Sequence, residues 1–215
     1  MTAAVAELSL LPPGPLDEWL PARLESILAA ATARVVLIDA AGAPPDAALS
    51  AACLRSLLLF ELPVVFAFEG ALAGGLAEIA LAADIRVCSE SASLRGPFAS
   101  SARVRTLADE ATSLALFLGR EVLGADALLA AGLVSSLVPA GQSLAEGRRV
   151  AATIASRGPI ATRLGKEAIW RGLPQPIDQA LRFETDLTLL LQTTKDRAEG
   201  VRAFLEKRAP IFTGE

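Results

Sequence analysis

The sequence predicts an α/β fold that is followed by a region of helices alone. Short apolar runs alternate with helical patterns over the first half of the chain, and this alternation is typical of parallel strands joined by right-handed crossovers. Beyond Phe98, segments with helical spacing of apolar residues dominate. We therefore expect a core over residues 1–156 and a helical region over residues 157–215.

The predicted strands of the first half are short apolar runs; apart from the leucine-containing run at 7–11, they are rich in valine, isoleucine or phenylalanine, which suit strands buried on both faces. They span residues 7–11, 34–39, 64–68 and 85–88. Helical spacing predicts helices over 17–31 and 47–60, and a third helix begins at Gly74. Residues 89–98 are mostly polar and predict a turn that leads past Gly96.

Helices are predicted throughout the second half. Their ranges are 107–117, 124–131, 144–155, 160–170, 177–193 and 196–207, with a short extended segment at 132–138. Thr194 is expected to cap the last helix, because a threonine side chain accepts a hydrogen bond from the free N–H groups at a helix start. The apolar face of that helix, formed by Val201, Phe204 and Leu205, has to pack on a neighbouring element or subunit.

Composition excludes many kinds of catalytic site. The 215 residues include no histidine and no tyrosine, so the chain alone cannot form a Ser-His-Asp triad, a Cys-His pair, a His-ligated metal site or a Tyr-Lys reductase site. Neither GxGxxG nor GxxxxGK[ST] follows a strand, so no dinucleotide or P-loop site is expected. Cys53 and Cys88 lie among apolar residues and are interpreted as buried hydrophobic side chains. Carboxylates, lysines and backbone groups remain for acid–base chemistry, and no metal is expected.

Charge and hydropathy limit the partners of the chain. The net charge is −4 and no cluster of lysine and arginine is interleaved with aromatics, so nucleic acid is not expected as a partner. The long apolar runs are interrupted by charges before they reach the ~20 residues of a membrane span, and the first ten residues lack a signal-peptide pattern. We therefore expect a cytoplasmic protein with no membrane segment. Hydrophobic residues make up 53% of the chain, which indicates surface buried between subunits.

Residues 62–84, LPVVFAFEGALAGGLAEIALAAD, carry the most informative spacing. Gly74 and Gly75 stand where a helix begins, and glycines there leave backbone N–H groups open to an approaching oxygen. If that oxygen belongs to a carbonyl that gains charge, these N–H groups and the helix dipole form part of an oxyanion hole. Glu78 lies one turn later on the same face, where it can handle a proton. The alternative is that the glycines only allow close packing of helix on strand and that Glu78 ends in a salt bridge.

Three segments together resemble the crotonase superfamily, also called the enoyl-CoA hydratase/isomerase family. The first, LPVVFAFEGALAGGLAEIALAADIRVCSESASL, is similar to the family's core signature. LGREVLGADALLAAGLVSSLVP is similar to a later family segment, and TKDRAEGVRAFLEKRAPIFTGE to the usual C-terminus. The order and spacing of the three segments favour a functional site over simple packing.

The resemblance implies a spiral of ββα turns and a C-terminal helical region that builds trimers, often doubled to hexamers. It implies a substrate that is an acyl thioester of coenzyme A or of a carrier-protein pantetheine. No cofactor is expected beyond the coenzyme A or pantetheine that belongs to the substrate itself.

The resemblance also assigns roles to individual residues. The family's shared chemistry is the stabilisation of a thioester enolate by two backbone N–H groups. By position, Gly75 supplies one of these groups, Gly74 lies beside it at the substrate, and Glu78 matches the first of two glutamates that hydratases use. Asp84 matches a family acid of mainly structural standing. Lys207 either meets a phosphate of coenzyme A or is a solvated helix end.

The sequence departs from the family pattern at several places. Phe98 stands where the second hydratase glutamate is expected; it cannot exchange a proton and is interpreted as part of the substrate-binding surface. The first oxyanion donor normally follows the preceding strand, where AAGAPPDAA leaves Ala43 and Ala47 as candidates, because Pro44 and Pro45 have no N–H. LPPGPLD replaces the usual nucleotide-contacting turn, and such a shortened site would suit a carrier-protein substrate.

We therefore expect a lyase or isomerase with Glu78 as its single acid and base. Moving a double bond needs one base that shuttles a proton between two carbons, whereas hydration benefits from two acids. Among isomerisation, hydration and dehydration of an enoyl thioester, the missing acid thus favours isomerisation or dehydration. The alternative is a crotonase-fold subunit that has lost catalysis and binds a carrier protein within a larger biosynthetic assembly.

Overall fold

The computed structural model describes residues 4–12, 15–43, 49–96, 98, 106–118 and 122–215. The chain forms two compact units, the first made of Met1–Phe60 and Val64–Ala151 and the second of Glu61–Pro63 and Ala152–Glu215. Compactness does not test independent folding, so the division expected between residues 156 and 157 stays a prediction.

Strands and helices alternate through the first unit. In chain order the elements as far as Ala155 are β1 (Val5–Ser9), α1 (Leu16–Ala30), β2 (Val35–Asp39), α2 (Ala51–Leu58), β3 (Val64–Phe68), β4 (Ala71–Leu72), α3 (Gly74–Ala82), β5 (Ile85–Ser89), β6 (Ser93–Arg95), α4 (Glu110–Leu118), β7 (Val122–Gly124), α5 (Ala125–Ala130), β8 (Ser136–Val138) and α6 (Ser143–Ala155). The last residues of α6 belong to the second unit. Three further helices of the second unit are α7 (Pro159–Gly172), α8 (Ile177–Gln192) and α9 (Lys195–Leu205).

Five strands of the first unit form one parallel sheet in the order β1-β2-β3-β5-β8. Parallel neighbours require crossover connections, which α1, α2 and α3 supply between successive strands. The central strand β3 is at most 1% exposed along its whole length, which explains why VVFAF contains no polar residue. The predicted α/β fold with parallel pairing is confirmed.

Helix α6 lies directly on this sheet. A side chain at Gly147 would place its Cβ 3.0 Å from the side chains of Leu37 and Ala67, on the neighbouring strands β2 and β3. The sheet and helix therefore meet closely only because this helix position has no side chain.

A second, three-stranded sheet positions the candidate site. Its order is β4-β6-β7, with β4 and β6 parallel and β6 and β7 antiparallel. The turn predicted over residues 89–98 is therefore wrong in part, because Ser93–Arg95 forms strand β6 there. β3, β4 and α3 together make one strand–strand–helix turn, the unit that the family resemblance implies.

The second unit is helical, as predicted. Helix α7 packs on α8, and α8 contacts α9. The expected cap is confirmed, because Thr194 Oγ1 accepts a hydrogen bond from the Arg197 N–H at 3.1 Å. Several large apolar side chains of this unit are exposed: Ile169, Leu173, Ile177, Leu181, Leu189, Leu190, Val201, Phe204, Leu205 and Ile211.

The tail after α9 folds back along that helix. Asp196 is buried, and its carboxylate accepts hydrogen bonds from the N–H groups of Thr213 at 2.7 Å and Gly214 at 3.0 Å. The ring of Phe212 lies 3.7 Å from the place of a Cβ at both Gly158 and Gly200. Within the residues that the structure describes, no helix has both the length and the apolar composition that a membrane span requires.

Candidate active site

The N-terminus of α3 is the centre of the candidate site. Gly74, its first residue, has φ +51°, a left-handed conformation that L side chains rarely adopt. The residue before it, Ala73, occupies the N-cap position, and its methyl group cannot accept a hydrogen bond from the first N–H groups of the helix. The geometry thus leaves the start of α3 without a side-chain cap, and Gly75 in the first turn adds no side chain of its own.

Helix α3 is buried on every side, from Gly75 to Ala82. Glu78 is its only charged residue and is 5% exposed. Glu78 is engaged in at least one interaction, and none of the buried side-chain nitrogen and oxygen atoms described by the structure lacks a hydrogen bond. The side chain lies one turn after Gly74 and Gly75, as the sequence predicts, so the proposed base and the uncapped helix start belong to one rigid element.

The small sheet brings a second segment to the start of α3. Strands β4 and β6 are parallel with Leu72 opposite Leu94, so their carboxyl ends lie at the same edge. Gly74 follows Leu72 by two residues and Gly96 follows Leu94 by two residues, on strands about 4.8 Å apart. Helix α3 also packs on β6. The start of α3 and the segment that contains Phe98 therefore meet at one edge of this sheet.

Phe98 is buried, with 6% of its surface exposed. Its ring lies 3.6 Å from the place that a Cβ of Gly96 would occupy. The same Cβ would lie 2.8 Å from the backbone oxygen of Leu116 in α4, a distance that real Cβ atoms do not reach. Gly96 therefore allows β6, α4 and the Phe98 ring to approach one another, and the ring forms an apolar wall at this edge; its place in the substrate-binding surface stays a prediction.

Of the two candidates for the first oxyanion donor, the structure describes only Ala43; Ala47 lies outside the described residues. The Ala43 N–H donates to the Ala40 backbone oxygen at 3.1 Å, and the Asp39 carboxylate accepts the Ala41 N–H at 2.9 Å. The Ala43 N–H is thus engaged in a turn, which would have to open before it could meet a substrate oxygen. Both assignments stay predictions.

Asp84 and Lys207 have different surroundings. The Asp84 carboxylate accepts the Val64 N–H at 2.7 Å, so it ties the end of α3 to the start of β3, in keeping with the structural standing that the resemblance implies. Lys207 follows α9 in the second unit, where it is exposed, has φ +53° and donates its N–H to the Phe204 oxygen. Its assignment to substrate binding stays a prediction.

Two further charged residues of the first unit receive no role from the motifs. Glu69, in the turn between β3 and β4, accepts hydrogen bonds from the Gly141 N–H at 3.1 Å and the Ser143 hydroxyl at 2.9 Å, and so caps α6. Arg86, in β5, is 4% exposed and bonded to three backbone oxygens. The sequence does show that each is a charged residue in or beside a strand expected to be buried, and a charge in such a place requires a partner.

The cysteines and potential metal ligands have no evident part in the site. Burial raises the pKa of the Cys53 and Cys88 thiols to about 11, which keeps them protonated and unreactive at neutral pH. Among the residues that the structure describes, no group of three Cys, Asp or Glu side chains lies close enough together to hold a metal ion.

The chain is similar in sequence to known proteins over most of its length. Residues 49–215 match the family model described as enoyl-CoA hydratase/isomerase. Crotonyl-CoA hydratase of Syntrophomonas wolfei is 32% identical over 174 residues, which are 77% of this chain and 67% of that protein. A short-chain-enoyl-CoA hydratase of Clostridium acetobutylicum is 33% identical over 163 residues, 72% of this chain and 62% of that protein. The chain thus spans about two thirds of the length of these relatives.

A solved structure gives the same likeness at the level of the fold. The crystal structure of an enoyl-CoA hydratase from Bacillus anthracis superposes with a TM-score of 0.85 at 29% sequence identity. The superposition covers 99% of this chain and 96% of that chain.

Proposed function

Because the chain belongs to the enoyl-CoA hydratase/isomerase family, we propose that it is an enzyme that acts on an enoyl thioester of coenzyme A or of a carrier-protein pantetheine. The reaction passes through a thioester enolate. The uncapped start of α3 stabilises the enolate oxygen, and Glu78 moves the proton. The observation that carries this proposal is the arrangement of Ala73, Gly74, Gly75 and Glu78 on one buried helix.

The proposed chemistry uses groups of the substrate and of this helix, together with the first oxyanion donor that is expected after β2. The Glu78 carboxylate removes a proton from the α-carbon of a 3-enoyl thioester, and the electron pair of that C–H bond moves toward the carbonyl, whose oxygen becomes negative. The Gly75 N–H and the dipole of α3 stabilise this oxygen. Glu78 then returns the proton to the γ-carbon, so the double bond moves into conjugation with the thioester and charge is conserved.

The apolar wall at Phe98 supports double-bond migration over the addition of water. A phenylalanine ring can neither donate a proton to a leaving hydroxide nor orient a water molecule, and general acids of this kind contribute about 10² to 10⁴ in rate. Burial of the ring beside Gly96 also leaves little polar surface at this edge of the small sheet. Isomerisation is therefore our first choice, and hydration or dehydration with Glu78 alone is the second.

Oligomerisation belongs to the same proposal. The exposed apolar side chains of the second unit would be covered if the chain forms homo-trimers or hexamers, the assemblies that the family resemblance implies. Burying such side chains between copies removes apolar surface from water, which favours association.

The direct experiment offers the purified chain 2-enoyl, 3-enoyl and 3-hydroxyacyl thioesters of several chain lengths, each on coenzyme A and on pantetheine. Isomerisation gives a conjugated thioester, visible by its absorbance, with no change in mass, whereas hydration adds the mass of one water. We expect conversion of the 3-enoyl thioester and a faster reaction on one of the two carriers.

Absence of turnover with every substrate would contradict the proposal. It would favour a fold that has lost catalysis and serves as a subunit or carrier-protein binder, for which the Phe98 departure is the supporting observation. Binding of an acyl-carrier protein without turnover would point the same way.

A further inference from the structure

The carbonyl groups at the carboxyl end of α3 find their hydrogen-bond partner outside the helix. The last carbonyl groups of any helix have no partner within it. Ala80 and Ala83 at this end are fully buried, so water cannot satisfy their oxygens. The C-cap residue Ala83 has an extended backbone with φ −63° and ψ 159°, so the end has no left-handed capping residue, and the last turn carries no basic side chain.

Arg86 satisfies these carbonyl groups from the neighbouring strand. Its Nη1 donates to the Ala83 oxygen at 2.5 Å and to the Ala80 oxygen at 3.3 Å, and its Nε donates to the Leu133 oxygen at 2.5 Å. Its own backbone oxygen accepts the Ser135 N–H at 2.8 Å. One side chain thus joins the end of α3 to the segment that leads into β8.

The guanidinium remains charged in this buried place. Burial lowers the pKa of Arg86 to about 10, while the nearby Asp84 carboxylate acts in the opposite direction, so the group is protonated at neutral pH. A cation at the carboxyl end of a helix also interacts favourably with the helix dipole. Hydrogen bonds from a charged donor are about twice as strong as neutral ones, so this contact holds the helix end firmly.

We propose that Arg86 is a positioning residue for the reaction: its hydrogen bonds fix α3 along its axis, and thereby fix Gly75 and Glu78 against the substrate. The inference rests on the proposed function. Helix α3 has nine residues and is packed on all sides, so a shift at its carboxyl end displaces its first turn as well. A misplacement of about 1 Å at a reacting group lowers the rate by about 10².

Two substitutions separate the charge of Arg86 from the planar arrangement of its N–H donors. Arg86→Lys keeps a positive charge but cannot reach three oxygens with planar geometry, and Arg86→Met keeps much of the apolar stem without charge or donors. The matched control is Arg148→Met, which removes an arginine whose guanidinium is exposed and paired with Glu7 on the surface. Kinetic constants with a 3-enoyl thioester and hydrogen exchange of the amides of residues 75–83 are measured for each.

We expect Arg86→Lys to lower kcat by about 10² with KM changed by less than about threefold, since the thioester still binds while the reacting groups are misplaced. Arg86→Met should lower kcat further, and Arg148→Met should have the kcat and KM of the wild type. Exchange of the α3 amides should rise about tenfold in Arg86→Lys, the equivalent of one lost charge-assisted bond, with strands β1 and β2 unchanged.

Unchanged kcat in a folded Arg86→Lys variant would overturn the inference, as would exchange that rises equally throughout the chain, because the role would then be structural only. If the wild type turns over no thioester, the proposed function fails. The exchange pattern of α3 then still decides whether Arg86 fixes this helix, so the two failures are distinguishable.

Discussion

Among single residues, Glu78 and Phe98 contribute different chemistry to the candidate site, because a carboxylate can exchange a proton and a phenylalanine ring cannot. Glu78 is a buried carboxylate one turn inside α3, and Phe98 presents a buried ring on the segment that meets the start of the same helix. With no histidine or tyrosine in the chain, the proposed reaction depends on the single carboxylate. In the proposed reaction, the apolar side chain at position 98 favours the reactions of an enolate that need only one acid.

This asymmetry predicts that a carboxyl group at position 98 adds a new reaction. Phe98→Glu should raise hydration of a 2-enoyl thioester by about 10² or more, because a second acid becomes available to the water. The hydrated product is measured by its mass, with Phe98→Leu as the control that keeps the wall apolar. Equal hydration by wild type, Phe98→Glu and Phe98→Leu would show that position 98 does not face the reacting carbons.

At the scale of elements, close contact between backbone segments shapes the site. The edge where β6, α4 and the start of α3 converge has no room for a side chain at Gly96, since its Cβ would meet the Leu116 oxygen at 2.8 Å. Strand β7 pairs with the other side of β6 and provides a contrasting position, because a Cβ at Gly124 would meet nothing within 4 Å.

The two glycines therefore predict different responses to the same substitution. Gly96→Ala should lower the free energy of unfolding by about 1 to 3 kcal/mol, as overpacking against fixed backbone does, and should reduce turnover by displacing Phe98. Gly124→Ala should change the free energy of unfolding by less than about 0.5 kcal/mol. Urea unfolding of the three proteins measures both values, and equal stability of the two variants would contradict the packing described for Gly96.

The tail of the second unit predicts a dependence on pH. Glu199 on α9 accepts hydrogen bonds from Arg208 Nη1 at 2.6 Å and from the Ile211 N–H at 2.9 Å, and the bond from Arg208 is the main cause that lowers the pKa of Glu199 from 4.5 to about 2. A carboxylate whose pKa is lower in the folded state stabilises the protein above its unfolded pKa. That contribution is lost as the pH falls from about 4.5 to about 2.

Glu199→Gln should therefore lower Tm at neutral pH, and its difference from the wild type should shrink below pH 4.5 and disappear near pH 2. Thermal unfolding followed by circular dichroism across this range measures the effect. Glu184→Gln, at an exposed position of α8, is the control and should leave Tm unchanged. A difference that is constant with pH would mean that the carboxylate of Glu199 does not hold the tail through its charge.

Elements of different length were predictable to different degrees. The bounds of β3 and the cap at Thr194 follow from local chemistry alone, because an apolar run of five residues and a capping hydroxyl are both strong local signals. Strands β4, β6 and β7 have only two or three residues each, and their pairing across the sheet, which no local pattern encodes, defines them. For the same reason the meeting of Gly74 with the segment at Phe98 could be expected only from the family resemblance.

Arg86 shows a further limit of prediction. Its position in an otherwise apolar strand indicates a buried charge with partners. The partners are backbone oxygens of α3 and of the segment before β8, and the oxygen of Leu133 is distant in sequence. Spacing cannot identify such partners, because backbone carbonyl groups are the same at every residue.

In the molecule as a whole, many of the large apolar side chains that are exposed lie in the second unit, and exposed apolar surface of this kind marks contact sites. Phe204 is 83% exposed and Leu205 is 74% exposed on the last helix. These side chains agree with an assembly in which copies of the chain cover each other.

The proposed assembly predicts that a charge introduced on its apolar surface weakens association. Wild-type protein should have the mass of a trimer or hexamer by light scattering, and Phe204→Glu should shift it toward the monomer, because a charge cannot be buried in an apolar contact without a partner. Leu59→Glu, a matched change at an exposed residue of the first unit, is the control and should keep the wild-type mass. A wild-type monomer at all concentrations would contradict the proposed assembly.

In the proposed mechanism, Glu78 and the start of α3 generate an enolate from an acyl thioester. The most direct measurement follows deuterium incorporation at the α-carbon of a 3-enoyl thioester in D₂O, since each reversible proton removal exchanges one hydrogen whether or not product is released. Wild-type protein should incorporate deuterium, and Glu78→Gln should be slower by at least about 10² with thioester binding unchanged. Glu90→Gln, an exposed carboxylate after β5, should behave as the wild type. Equal incorporation by wild type and Glu78→Gln would contradict the account.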